Sequence, residues 1–127
     1  MAEKYHDRTH FVHLRSCHIF PNGDFTEASH LGGRADLVEL AHIFEKEEQK
    51  RSEECRTKSE KSKYARTDFR LPMRVDHGMT MLGDENRGYN AGYSFLGRMF
   101  ALGQVQGILA AVDKELGIEY KQPGFFD

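Results

Sequence analysis

The sequence is poor in several features that would assign a function quickly. It has two cysteines, Cys17 and Cys55. They are too few for a disulfide scaffold and form no C-x-x-C pair. Charge of one sign is missing too: 18 basic against 20 acidic residues give a formal net charge of -2. No general cation field grips a phosphate backbone, so nucleic acid is not an expected partner. The uninterrupted apolar runs are short for a bilayer crossing, and the opening MAEKYHDRTHF has no long apolar run. The expected setting is the cytoplasm, with no membrane partner. There is no P-loop, dinucleotide-binding glycine pattern, zinc-finger spacing or H-E-x-x-H motif.

What is present is one domain's worth of chain, 127 residues, roughly half an ordinary eight-stranded α/β barrel. After a polar lead-in, His10 to Arg15 reads as a short strand, with Phe11, His13 and Arg15 on one side and Val12 and Leu14 on the other. Pro21-Asn22-Gly23-Asp24 is a turn, and Phe25 to Gly33 reads as a loop rich in ligand-capable groups. Leu37, Leu40, Ala41 and Phe44 recur at helical spacing after Ala35 or Asp36. From Glu45 the chain alternates acidic and basic residues, either as a solvated helix supported by pairs such as Glu47 with Arg51 and Glu54 with Lys58, or as an irregular excursion.

Phe69 to Val75 is the second strand candidate, with Phe69, Leu71, Met73 and Val75 on one face and Pro72 unable to donate. A glycine-rich passage follows. Ser94 is positioned to cap a helix running to about Leu116, with Gly117 as its stop. Its expected buried stripe is Phe95, Met99, Leu102, Gln106, Leu109, Val112 and Leu116, broadened by Leu96, Phe100, Val105 and Ile108, with Gly97, Gly103 and Gly107 requiring close packing or a functional approach. The tail from Tyr120 to Asp127 is expected to be irregular. Strand, loop, helix, strand, loop, helix is βαβα grammar and favours parallel pairing.

Two such strands put Asp76-His77-Gly78 at a carboxyl end, where α/β folds place ligands. His13 and Asp76 offer a nitrogen and a hard oxygen suited to a divalent metal, although two residues so distant read more readily as a structural polar pair. His77 can move a proton near neutrality or simply hydrogen-bond a loop. Tyr93 could reach into a site or pack as an aromatic. Arg15, Glu27 and His30 could bind a substrate or support the surface.

Pro72-Met73-Arg74-Val75-Asp76-His77-Gly78, Met81-Leu82-Gly83-Asp84 and Ala91-Gly92-Tyr93-Ser94-Phe95-Leu96-Gly97-Arg98 resemble, in order, the ending of the mannonate dehydratase family. His13-Leu14-Arg15 and Phe25 to Leu31 resemble motifs upstream of it. The resemblance implies an α/β fold of partial TIM-barrel type, a βαβα segment over residues 1–127 that oligomerisation or a missing barrel portion would complete, with a charged insertion at 45–66. It implies a metal-binding lyase using Mn or Fe on a sugar acid, converting D-mannonate to 2-keto-3-deoxy-D-gluconate and water. By the same resemblance His13 and Asp76 match metal positions and His77 and Tyr93 match acid/base positions; from their own chemistry, Arg15, Glu27 and His30 are the expected substrate contacts. Val75 and Ala91 stand where the family pattern has proline. The other class to weigh is a noncatalytic homo-oligomerisation or protein-interaction module derived from that enzyme.

Overall fold

Alternation along the first strand decides how it packs. Val12 and Leu14 are buried while His13 between them is exposed, so β1 (Val12–Leu14) turns an apolar face inward and a polar face outward. The computed structural model describes residues 1–60 and 69–119. In it β1 pairs in parallel with β4 (Met73–Val75), in the register Val12 with Met73, His13 with Arg74 and Leu14 with Val75. β4 is shorter than the sequence pattern suggests. Pro72 cannot donate to a ladder, but its carbonyl accepts from the Val12 amide at 2.9 Å.

Between these strands lie an antiparallel hairpin, β2 (Cys17–Ile19) with β3 (Phe25–Glu27), and the long helix α2 (Leu37–Ser59). Asp36 caps α2 by accepting from the Glu39 amide at 2.9 Å. Helix-favouring Glu, Lys, Gln and Arg carry it through the charged run, so the insertion expected at 45–66 is helical as far as Ser59, and residues 61–66 lie outside those described. Of the expected pairs, Glu47 with Arg51 forms at 2.7 Å.

α3 (Phe95–Leu116) begins at Ser94, whose Oγ accepts from the Gly97 amide at 2.9 Å, and ends at Gly117 with φ of 72°. α2 and α3 pack together over the inward face of β1 and β4. The core is Val12, Leu14, Leu37, Ala41, Phe44, Leu71, Val105, Ile108 and Val112. Full burial of such an aliphatic side chain stabilises by roughly 1.5–3 kcal/mol. The polar lead-in also has structure. α1 (Ala2–Tyr5) and a 3-10 turn at His6–Arg8 are tied to α2 through buried Glu47, which meets His6 Nδ1 at 2.8 Å.

Two expectations are corrected. The TIM barrel is not there: among the described residues the strands form two separate two-stranded sheets, and no barrel closes. The expected stripe of α3 holds only in part: Val105, Ile108 and Val112 are buried as expected and Leu109 and Leu116 pack against the core, but the N-terminal half turns most of its large apolar residues outward. There Gly97 and Ala101 are buried, whereas Phe95, Met99, Phe100 and Leu102 are exposed. Gly97 does sit in tight packing, but Gly103 and Gly107 face open space. α3 also has the length and composition of a membrane-crossing helix, a test that the core helix of a soluble protein passes equally.

Candidate active site

Parallel pairing brings the carboxyl ends of β1 and β4 to the same edge. Arg15 leaves the first and Asp76-His77 leave the second, while the hairpin folds back so that Glu27 lies between them. Glu27 is the hub. Arg15 Nε donates to both carboxylate oxygens, at 3.1 and 3.2 Å, and its Nη2 donates to Oε1 as well. His77 Nδ1 lies 3.0 Å from Glu27 Oε1. Burial pushes the Glu27 carboxyl up, but the hydrogen bonds from Arg15 and His77 outweigh it and hold the carboxyl below its ordinary range. The hydrogen bond to Glu27 likewise raises the Arg15 guanidinium.

An ionised Glu27 can only accept, so His77 Nδ1 carries the proton of this hydrogen bond, and in a neutral ring Nε2 is the nitrogen left to accept. That nitrogen stands 3.7 Å from Asp76 Oδ2. Tyr93 packs its ring 4.8 Å from that of His77, centroid to centroid, and is half exposed. Gly92 makes this approach possible. Its φ is +81°, and a Cβ there would lie 2.9 Å from His77 Nδ1 and 3.3 Å from Glu27 Cγ. The Gly78 amide donates to the Gly92 carbonyl at 3.1 Å, fastening the loop after β4 to the loop before α3.

Underneath, Gly78 and Gly97 let that loop lie directly on the first turn of α3. A Cβ on Gly97 would come 2.0 Å from the Met79 carbonyl oxygen. Buried Asp84 accepts from Ser94 Oγ at 2.5 Å and from the Met81 amide at 2.7 Å, and these bonds lower its pKa.

The other expected site residues are placed as follows. His13 Nδ1 is 3.6 Å from Asp76 Oδ1 on the partly exposed side of the same strand ends. His30 is 1% exposed. Its Nε2 donates to the Leu14 carbonyl at 3.1 Å, and its amide donates to Gln104 Oε1 at 2.9 Å. It therefore joins β1 to α3 and does not face solvent.

The expectation of metal binding is corrected. His13 and Asp76 supply one nitrogen and one carboxylate, and among the described residues no group of three or more His, Cys, Asp or Glu could hold a metal ion. Two donors do not fit a Mn or Fe shell.

Sequence reasoning missed the hairpin and with it the hub position of Glu27. The signal was available: Asn22-Gly23 between Cys17-His18-Ile19 and Phe25-Thr26-Glu27 is a hairpin pattern. It also missed Cys17, whose Sγ lies 3.9 Å from Glu27 Oε2.

Comparison with known proteins follows the same stretch of chain. The family described as D-mannonate dehydratase (UxuA) matches residues 1–119. "Mannonate dehydratase 2" of Agrobacterium fabrum is 33% identical over 116 residues, covering 91% of this chain and 26% of that protein. "Mannonate dehydratase" of Saccharophagus degradans is 36% identical over 114 residues, covering 89% of this chain and 26% of that protein. The chain thus spans about a quarter of the length of the curated relatives it matches.

Proposed function

The chain belongs to the D-mannonate dehydratase (UxuA) family, and from that premise we propose that it supplies the proton-transfer face of a lyase that turns D-mannonate into 2-keto-3-deoxy-D-gluconate and water. The observation that carries the reading is the Arg15–Glu27–His77 relay with Tyr93 against the imidazole. Glu27 holds the His77 tautomer, and Arg15 holds Glu27. Nε2 of His77 takes the proton from the carbon next to the substrate carboxylate. The C–H electron pair forms a carbon–carbon double bond as the neighbouring C–O bond breaks. Tyr93, whose hydroxyl makes no hydrogen bond among the described residues, donates a proton so that the hydroxyl leaves as water. The resulting enol rearranges to the 2-keto acid.

Exposed Phe95, Met99, Phe100 and Leu102 on α3 favour assembly with further polypeptide, either a second copy or the remainder of a family-length chain. The charge-rich α2 and two free cysteines suit a cytoplasmic setting. A noncatalytic assembly module is the competing reading, favoured by the same exposed face.

The test is D-mannonate in deuterated water with the 127-residue chain, alone and with the remaining part of the Agrobacterium relative supplied separately. Proton NMR follows loss of the proton next to the carboxylate and growth of the 3-deoxy product signals, with C3 appearing as a monodeuterated CHD because ketonisation takes its hydron from solvent. His77→Ala should lower the rate about a hundredfold or more, with the fold intact by circular dichroism. No exchange and no product under either condition would leave the assembly module as the better account.

A further inference from the structure

We propose that Arg34, at the rim of a cleft of about 460 Å³ over the β2–β3 hairpin, is the cation that receives the carboxylate of the substrate. This rests on the sugar-acid reading above and adds a specificity-determining residue to it. The cleft is lined by Arg15, Cys17, Ile19, Gly23, Phe25, Arg34 and Ala35. Its volume falls within the range of small-molecule sites, roughly 300–1,000 Å³.

The hairpin register explains why this cleft borders the relay. Cys17 pairs with Glu27 and Ile19 with Phe25, so these four share one face of the ribbon. The face that carries Glu27 to His77 therefore continues as the floor of the cleft. Arg15 is the hinge between the two, lining the cleft, holding Glu27 and lying 5.3 Å from the Phe25 ring centroid.

Charge decides which arginine is free. Arg15 is neutralised by Glu27. Arg34 is exposed and makes no ion pair among the described residues, its backbone amide alone being fixed by the Cys17 carbonyl at 2.9 Å. Asp36 caps α2, Asp24 accepts from Asn22 and Glu27 is held by Arg15, so none of these three pairs with Arg34. One uncompensated positive charge matches a monocarboxylate better than a phosphate dianion. Exposed Phe25 and Ile19 offer the carbon chain an apolar bed, and the carboxylate can take paired hydrogen bonds from the guanidinium.

The experiment titrates the chain with D-mannonate, D-mannitol and hexanoate, reading the Arg34 Nε–H and Phe25 ring signals by NMR, in wild type, Arg34→Met and Arg34→Lys. Mannonate should shift both signals and mannitol neither. Arg34→Met should weaken mannonate about tenfold or more, with Arg34→Lys recovering part of the loss. Mannonate binding equally well to Arg34→Met overturns the proposal while leaving the dehydratase reading intact. Hexanoate binding with the same Arg34 dependence while mannonate fails supports the anion site and sinks mannonate as its occupant. If no carboxylate perturbs Arg34, the site does not exist.

Discussion

At the scale of single residues, the relay depends on a side chain that is missing. Gly92 occupies a left-handed backbone position and leaves room for the His77 ring. Gly92→Ala should cost about 1–2 kcal/mol from the backbone conformation alone. It should also push His77 off Glu27. A urea melt will read the first effect. The second appears as a change in the His77 ring resonances, absent when Gly88, which also has positive φ but open space around it, is replaced. The neighbourhood of Asp76, His77 and Tyr93 was legible because polar residues follow directly on an apolar strand or precede a capped helix. The partnership of Glu27 with His77 was not, because it runs between residues fifty apart and no local period encodes it.

Among the elements, helix ends were the most readable features and helix faces the least. Ser94 and Gly117 announce the limits of α3 because capping is local chemistry. Which side of α3 is buried depends on what it packs against. With apolar residues all around the helix, periodicity alone does not choose. The Ser94 cap does more than end a helix, since its hydroxyl also donates to buried Asp84. Ser94→Ala should therefore destabilise by more than an ordinary cap loss of about 1 kcal/mol, because buried Asp84 Oδ2 keeps only the Met81 amide as donor. Thermal melts of Ser94→Ala and Ser94→Thr will check this, the threonine retaining most of the stability. The hairpin went unread for a different reason: its strands are three residues each, too short for alternation to stand out from a loop.

For the whole molecule, pH reports on the seam between the two long helices. Burial, together with the Asp113 and Glu48 carboxylates, pushes Glu45 up to about 7 from an ordinary 4.5, and burial raises Asp113 as well. A raised carboxyl binds its proton more tightly in the folded state. The stabilisation is complete below about 4.5 and is lost as pH rises through about 7. Glu45→Gln should flatten this dependence. It should stabilise the protein at pH 8 by about 1 kcal/mol, once partial exposure is discounted for screening. Denaturant midpoints at pH 5 and pH 8 will measure both.

β1 and β4 touch in space but sit about sixty residues apart along the chain, and each is three residues long. So brief a pairing cannot outweigh the entropy of closing so large a loop until α2 and α3 have clasped each other. Arg15 and Glu27, which follow β1, therefore meet His77, which follows β4, only once α2 and α3 have packed.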